Sequence, residues 1–248
     1  MCPTIHIILP SYAVLAVIGG LSAILFIYLR IEKFNLPFLD FLKMFGLSIV
    51  FGFLGSRAIY IFSRIPWLIN NFSARHLIST ILSGGIVFYG GLFGVLFGIY
   101  CYCKRHDIAS SNIYTLIAPA IPLFHAFGRI GCFMSGCCYG IELNSPVTLF
   151  GVITFNRLPT QIIEAVFEFV LFIIILLLQR KEKCRDYLKV YLIPYAIFRF
   201  IIEFFRGDTV RGFFFGLSTS QIISIAILTF YIAKIIKEKI HNRKVESI

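Results

Sequence analysis

Seven apolar stretches along 248 residues leave this chain few folds to choose from. They fall at 11–29, 41–62, 84–103, 112–128, 161–178, 187–205 and 213–236, and a helix needs about 20 such residues to cross a bilayer. Composition agrees: 14% of the residues are charged and 58% hydrophobic, whereas a soluble domain carries about 25% charged residues. The sequence therefore predicts an all-α polytopic membrane protein with seven transmembrane helices, forming one integral domain over 1–248. An extracytoplasmic loop region is expected at 129–160 and a basic cytoplasmic tail at 237–248.

The net charge of +11 invites a nucleic-acid reading, and the placement of the basic residues removes it. Lys and Arg crowd the loops 30–43, 104–111 and 179–189 and the tail from Lys234 onward, and are sparse in the alternate loops. By the rule that short cytoplasmic loops are Lys/Arg-rich, the N-terminus is expected outside and the C-terminus inside. The charge is topological, and no nucleic-acid partner is expected.

With that orientation, the polar residues within the spans fall in their outer halves. Tyr12 opens the first span, Arg57 lies late in the second, Tyr89 early in the third, and Arg129 ends the fourth. Gln161, Glu164 and Glu168 open the fifth, Arg199, Glu203 and Arg206 close the sixth, and Gln221 sits in the outer third of the seventh. Each of the two triplets occupies one helix face. A charge at bilayer depth costs several kcal/mol unless paired, so Glu164 or Glu168 could simply neutralise Arg57. The four arginines still outnumber the three glutamates, and a surplus of guanidinium forks suits a phosphate. By contrast, Gly90, Gly94 and Gly98 of the third span form the every-fourth-residue ridge used for close helix packing. Tyr89 beside them reads as an interfacial belt residue or as a phenol aimed into the site.

The densest stretch is HAFGRIGCFMSGCCYG, residues 125–140, with Arg129, Cys132, Cys137, Cys138 and four glycines. It reads as a buried anion-handling site at a helix end. The plainer alternative is a tight helix end with a snorkelling arginine and cysteines packed as small hydrophobes. Cys132, Cys137 and Cys138 as a metal site lack an evident fourth ligand, and His125 reads as a core or helix-end histidine. No metal and no cofactor are expected. The polar segment 141–160 contains TLFGVITFN, whose weak alternation suggests a short strand or interfacial piece.

GRIGCFMSGCCYG resembles the signature G-R-x-G-N-F-x-N-x-E-x-x-G of the bacterial phosphatidylglycerol–prolipoprotein diacylglyceryl transferases. SYAVLAV with Tyr12, SRAIYIF with Arg57 and Tyr60, and GGIVFYGGLFG with Tyr89 follow the family order. So do LPTQIIEA with Gln161 and Glu164, FRFIIEFFRGD with Arg199, Glu203 and Arg206, and GLSTSQ with Gln221. The resemblance spans nearly the whole chain. It implies transfer of the diacylglyceryl group of phosphatidylglycerol to the lipobox cysteine of a prolipoprotein, in the bacterial cytoplasmic membrane, at a site facing outward. It also implies that Arg129 and Arg199 bind phosphate, Glu203 orients Arg199 and Tyr12 touches the headgroup, with the remaining polar set as substrate-binding residues.

The departures are concentrated. The family histidine before Gly-Gly-Leu is Tyr89 here, its signature asparagines are Cys132 and Ser135, and its glutamate is Cys137. Three readings follow: the same transfer with Tyr89 or an arginine-acidified substrate thiol replacing the histidine; the same lipid donor with another acceptor, Cys132 or Cys137 acting as nucleophile; or a lipid-binding or transport protein. The last lacks the internal repeats and mid-membrane polar groups usual in transporters.

Overall fold

A computed structural model describes residues 11–34, 36–71, 73, 75, 76, 78, 80, 87–149, 153–182, 186–208, 213–214 and 216–246. The expected start of the third span at 84 lies outside the described residues, as do the side chains of the tail from 241. The helices are α1 (Ser11–Tyr28), α2 (Phe38–Asn70), α3 (Phe88–Arg105), α4 (Ser110–Ile117), α5 (Ala120–Met134), α6 (Thr160–Arg180), α7 (Tyr187–Ile202) and α8 (Thr219–Glu246). Two short antiparallel pairs interrupt them: β1 (Glu142–Leu149) with β2 (Ile153–Arg157), and β3 (Phe213–Phe214) with β4 (Leu217–Ser218).

Among the described residues, five segments are long and apolar enough to cross a membrane: Ser11–Tyr28, Phe38–Ile65, Ser110–Met134, Thr160–Arg180 and Thr219–Ile240. Their outward faces carry exposed Val17, Leu21, Leu25, Phe53, Leu54 and Phe230, the surface expected against lipid rather than water. The chain is thus a mostly helical polytopic membrane protein. Several boundaries move. The expected fourth span is α4 and α5 placed end to end, because Pro119 has no N–H to continue the ladder, and α5 runs through Arg129 to Met134, so the loop region begins later than 129. The expected seventh span begins at Thr219, since Gly216 turns the chain at φ +80° and Ser218 and Gln221 cap the helix. The hairpin of β1 and β2 replaces the single strand suggested by TLFGVITFN, and its register shifts between Glu142 and Val147.

The glycine ridge does what its spacing predicts. A Cβ on Gly98 would lie 2.9 Å from Ser48 Cα, and one on Gly90 or Gly94 would strike the backbone of Gly55 or Phe51. α2 and α3 therefore meet backbone to backbone. One apolar cluster, with Ile27, Phe41, Met44, Ile99 and Leu116, packs α1 to α4. A second, with Leu171, Ile175, Tyr191, Tyr195 and Ile227, packs α6, α7 and α8. Buried charge gathers where α5, α6 and α7 meet.

Candidate active site

α5 places His125 and Arg129 one turn apart on its buried face. Arg129 Nη2 lies 2.9 Å from Glu164 Oε1 on α6, and the same oxygen is 3.4 Å from Arg199 Nη1 on α7. Arg199 Nη2 is 2.7 Å from Glu203 Oε2, one turn further on. Glu164 thus ties two guanidinium groups from different helices, and Glu203 holds the second from the other side. Arg199 Nη2 also donates to Ser220 Oγ at 3.2 Å. Arg129 Nε donates to His125 Nε2 at 3.2 Å, so that nitrogen is the acceptor. His125 Nδ1 then carries the proton toward Glu168 Oε1, 2.7 Å away. His125 also stacks on Phe88 with ring centroids 3.6 Å apart.

These groups border a cavity of about 530 Å³ lined by Tyr12, Tyr60, Arg64, Phe88, Tyr89, His125, Gly128, Arg129, Cys132, Cys138, Tyr195, Arg199, Glu203, Arg206, Ser218, Thr219 and Ser220, among others. Arg129, Arg199 and Glu203 come together as the sequence predicts, with Tyr12, Tyr89, Arg206 and Cys132 on the same walls. Arg206 is gripped by Asp208, Nε to Oδ1 at 2.9 Å and Nη2 to Oδ2 at 2.6 Å. Burial works against its charge, but this bidentate carboxylate raises its pKa. Asp208 supplies a carboxylate the sequence reading did not count, so the cationic surplus is smaller than predicted.

Other expected residues stand behind the cavity or outside it. Glu164 backs the arginines without lining the space. Gln161 Nε2 donates to Cys137 O at 2.6 Å, holding the loop after α5. Gln221 closes a capping box: its Oε1 accepts from Ser218 N at 2.9 Å, and Ser218 Oγ accepts from Gln221 N at 3.2 Å. The cap is legible as S-x-x-Q, and it aims the α8 N-terminus, with Thr219 and Ser220, at the cavity. Arg57 does not line the cavity; its guanidinium lies 5.6 Å from the Phe53 ring centroid on α2. Tyr89 is 2% exposed, which rules out the belt reading. Its Oη meets Ser224 Oγ at 2.9 Å.

The loop Ser135–Gly140 is folded tightly. Gly136 and Cys138 adopt φ +66° and +60°, the second a conformation unusual for a residue with a side chain. Thr160 Oγ1 donates to Cys138 O at 2.9 Å. Gly140 bridges Arg206, and Gly207 N donates to Tyr139 O at 3.0 Å, joining this loop to the end of α7. The side chain of Cys137 is exposed, while Cys132 is buried. The Cys132 and Cys137 thiols beside it, with Arg206 and Arg129 beyond them, push the Cys138 thiol below its ordinary range, while Cys137 Sγ donates to Cys132 O at 3.6 Å.

The sequence profile of the prolipoprotein diacylglyceryl transferase family matches residues 3–237. The chain belongs to that family. It is 34% identical over 222 residues to the phosphatidylglycerol–prolipoprotein diacylglyceryl transferase of Clostridium tetani, covering 87% of each chain. It is 34% identical over 192 residues to the Clostridium perfringens protein named transferase 2, covering 73% of this chain and 72% of the relative. The Campylobacter curvus transferase is 30% identical over 246 residues, covering 90% of this chain and 89% of its own. Against that family's signature, the arginines of GRIG and FRFIIEFFR are kept and paired, and the amide and carboxylate positions carry Cys132, Ser135 and Cys137.

His125, Asp208 and the capped start of α8 are the parts of the site that sequence reasoning missed. His125 had one usable signal, its four-residue spacing from Arg129. Asp208 stands two residues from Arg206, and its grip depends on the turn that follows α7.

Proposed function

We propose that this chain transfers the diacylglyceryl group of phosphatidylglycerol to the lipobox cysteine thiol of a prolipoprotein, at a site opening toward the extracytoplasmic side of the bacterial cytoplasmic membrane. The observation that carries this is the cavity in which Arg129, Arg199 and Arg206 share walls with Phe88, Phe124 and Tyr195. A phospholipid needs that combination of guanidinium groups at one part and apolar surface at another. The Lys/Arg distribution supports an outside N-terminus and a cytoplasmic tail, with α3 and α7 completing seven spans.

The reaction is displacement at a glycerol carbon with a phosphate ester leaving. Charge builds on the departing phosphate, and fixed cations there lower the barrier. Arg129 and Arg199 serve as the phosphate clamp. Glu164 and Glu203 hold the two guanidinium planes, and the positive end of α8, with Thr219 and Ser220 on the cavity wall, faces the place where an anion would sit. Tyr12, across from Gly131, contacts the glycerol headgroup. Arg206 stays fixed by Asp208 at the rim. Tyr89 acts as wall and as partner of Ser224 rather than as the base, because its phenol is committed to that hydroxyl. Gln161 and Gln221 serve the site through backbone they hold, and Arg57 lies apart from it.

A second reading keeps the lipid donor and changes the acceptor, and Cys132, Ser135 and Cys137 are what favour it. Reconstitution with labelled phosphatidylglycerol and a lipobox peptide separates the two. The expected product is a peptide heavier by one diacylglyceryl group with release of glycerol phosphate. Consumed lipid with an unmodified peptide selects the other acceptor; an untouched lipid rejects both.

A further inference from the structure

The Sγ atoms of Cys132, Cys137 and Cys138 all lie within 4.8 Å of one another. Two of these residues, Cys132 and Cys138, line the cavity that holds Arg129. We propose that the three thiols form a metal site, a thiolate cage for one zinc-type divalent ion whose fourth position faces the cavity and receives the acceptor thiol. The acceptor half of this rests on the diacylglyceryl transfer reading above.

Geometry favours a cage. Zinc–sulfur bonds of about 2.3 Å in a tetrahedron set sulfurs about 3.8 Å apart, so closing from the observed spread takes small side-chain rotations. The backbone carrying the thiols is held independently of any ion. Cys137 N donates to Cys132 O at 3.1 Å, Gln161 takes the Cys137 carbonyl, and Thr160 takes that of Cys138.

Charge also fits. Arg129 and Arg206 share the cavity wall with Cys138 and would repel a bare cation. Three thiolates around a divalent ion carry a net charge of −1, which those guanidinium groups stabilise. Among the described residues no His, Asp or Glu joins the cluster. Three protein ligands with one position left open is the pattern of a catalytic rather than a structural zinc site.

The chemistry answers the question that the departures raise. The family glutamate and histidine positions are Cys137 and Tyr89, and Tyr89 is engaged with Ser224. A thiol that coordinates such a metal loses its proton outright, which removes the need for a side-chain base. On binding, the S–H bond is replaced by S–metal and the proton passes to water. The sulfur then forms a C–S bond to the glycerol carbon as the C–O bond breaks, and glycerol phosphate leaves with the electron pair. The thioether product, neutral at sulfur, is a weak ligand and departs. No oxidant or reductant is consumed.

The test uses the full chain, purified with its thiols reduced and titrated with Co²⁺ alone as a spectroscopic stand-in. Tetrahedral thiolate–cobalt absorption at about one equivalent per chain is expected. Cys137→Ser, whose side chain is exposed and whose exchange leaves the core untouched, should lose it. Cys101→Ser on α3 should keep it. In lipid nanodiscs, chelator-treated protein should fall at least about 100-fold in peptide modification, the scale of a general base. Added Zn²⁺ should restore the rate, and binding of phosphatidylglycerol should not change. The metal site is overturned by absence of the cobalt signal or by a disulfide among the three thiols in protein purified without reductant. Full transfer by metal-free protein overturns its role in the reaction. Metal binding with no peptide thioether in any metal state instead rejects the transfer reading and leaves a cage without that acceptor.

Discussion

The seam between α2 and α3 and the junction of α5, α6 and α7 solve opposite problems with the same few residue types. In the seam, Gly52, Gly55, Gly90, Gly94 and Gly98 remove side chains so that two backbones touch. At the junction, Gly128 has nothing within 4 Å of where its Cβ would be, and the space is left open beside Arg129. Each region also borders an arginine. Arg129 is locked to Glu164 from another helix, whereas Arg57 turns toward the Phe53 ring on its own helix. What marks the site here is an open space walled by guanidinium groups that carboxylates from neighbouring helices hold in place. A glycine or an arginine alone decides nothing.

The strongest way to test this contrast is Arg129→Lys. Lysine keeps the charge that Glu164 needs, so the buried carboxylate is not stranded and the fold should survive. It lacks the fork that would span a phosphate. Transfer should drop by about 10²–10³-fold, the usual cost of removing one fixed donor from a developing anion. The check is initial rate against phosphatidylglycerol in nanodiscs, with thermal stability in detergent measured alongside. An unchanged rate would mean that the clamp lies elsewhere.

Much of this was readable beforehand, and the reason is local periodicity. Arg199 and Glu203 are one turn apart, so their pairing follows from helix geometry alone. The ridge of Gly90, Gly94 and Gly98 likewise specifies its partner's close approach. Gln161 and Gln221 are expected from the sequence as substrate-binding residues, yet their side chains bind backbone rather than line the cavity, a distinction that composition does not carry. Asp208 escaped notice because its contact with Arg206 depends on the turn after α7. The convergence of Cys132, Cys137 and Cys138 required the left-handed turns at Gly136 and Cys138, which no spacing rule for metal ligands anticipates.

Gly94→Leu addresses the other region. A side chain there meets the backbone around Phe51, and overpacking a well-packed contact typically costs 1–3 kcal/mol, more where backbone must move, so a loss of about 3 kcal/mol is expected. The prediction is lower thermal stability and poor recovery from detergent, with the surviving folded fraction retaining a near-normal affinity for phosphatidylglycerol. A stable variant that fails to bind lipid would transfer the seam from scaffold to site.

Arg57→Ala should produce the smallest effect, and it tests the boundary between the two regions most finely. Sequence position alone grouped Arg57 with Arg129, Arg199 and Arg206, since all four lie toward one end of their helices. The cavity walls include the latter three and leave Arg57 out. Arg57 is half-buried and stands outside the cavity walls, so its loss should bear on stability rather than on the reaction. Transfer rate and lipid affinity should therefore stay within about twofold of the parent, or about 0.5 kcal/mol. Michaelis kinetics in nanodiscs of fixed phosphatidylglycerol content would measure both. A rise in KM at constant kcat would show that Arg57 reaches the lipid as it enters, extending the binding surface along α2. A fall in kcat would place it at the reacting phosphate, and a place on the cavity wall would then no longer distinguish working arginines from bystanders.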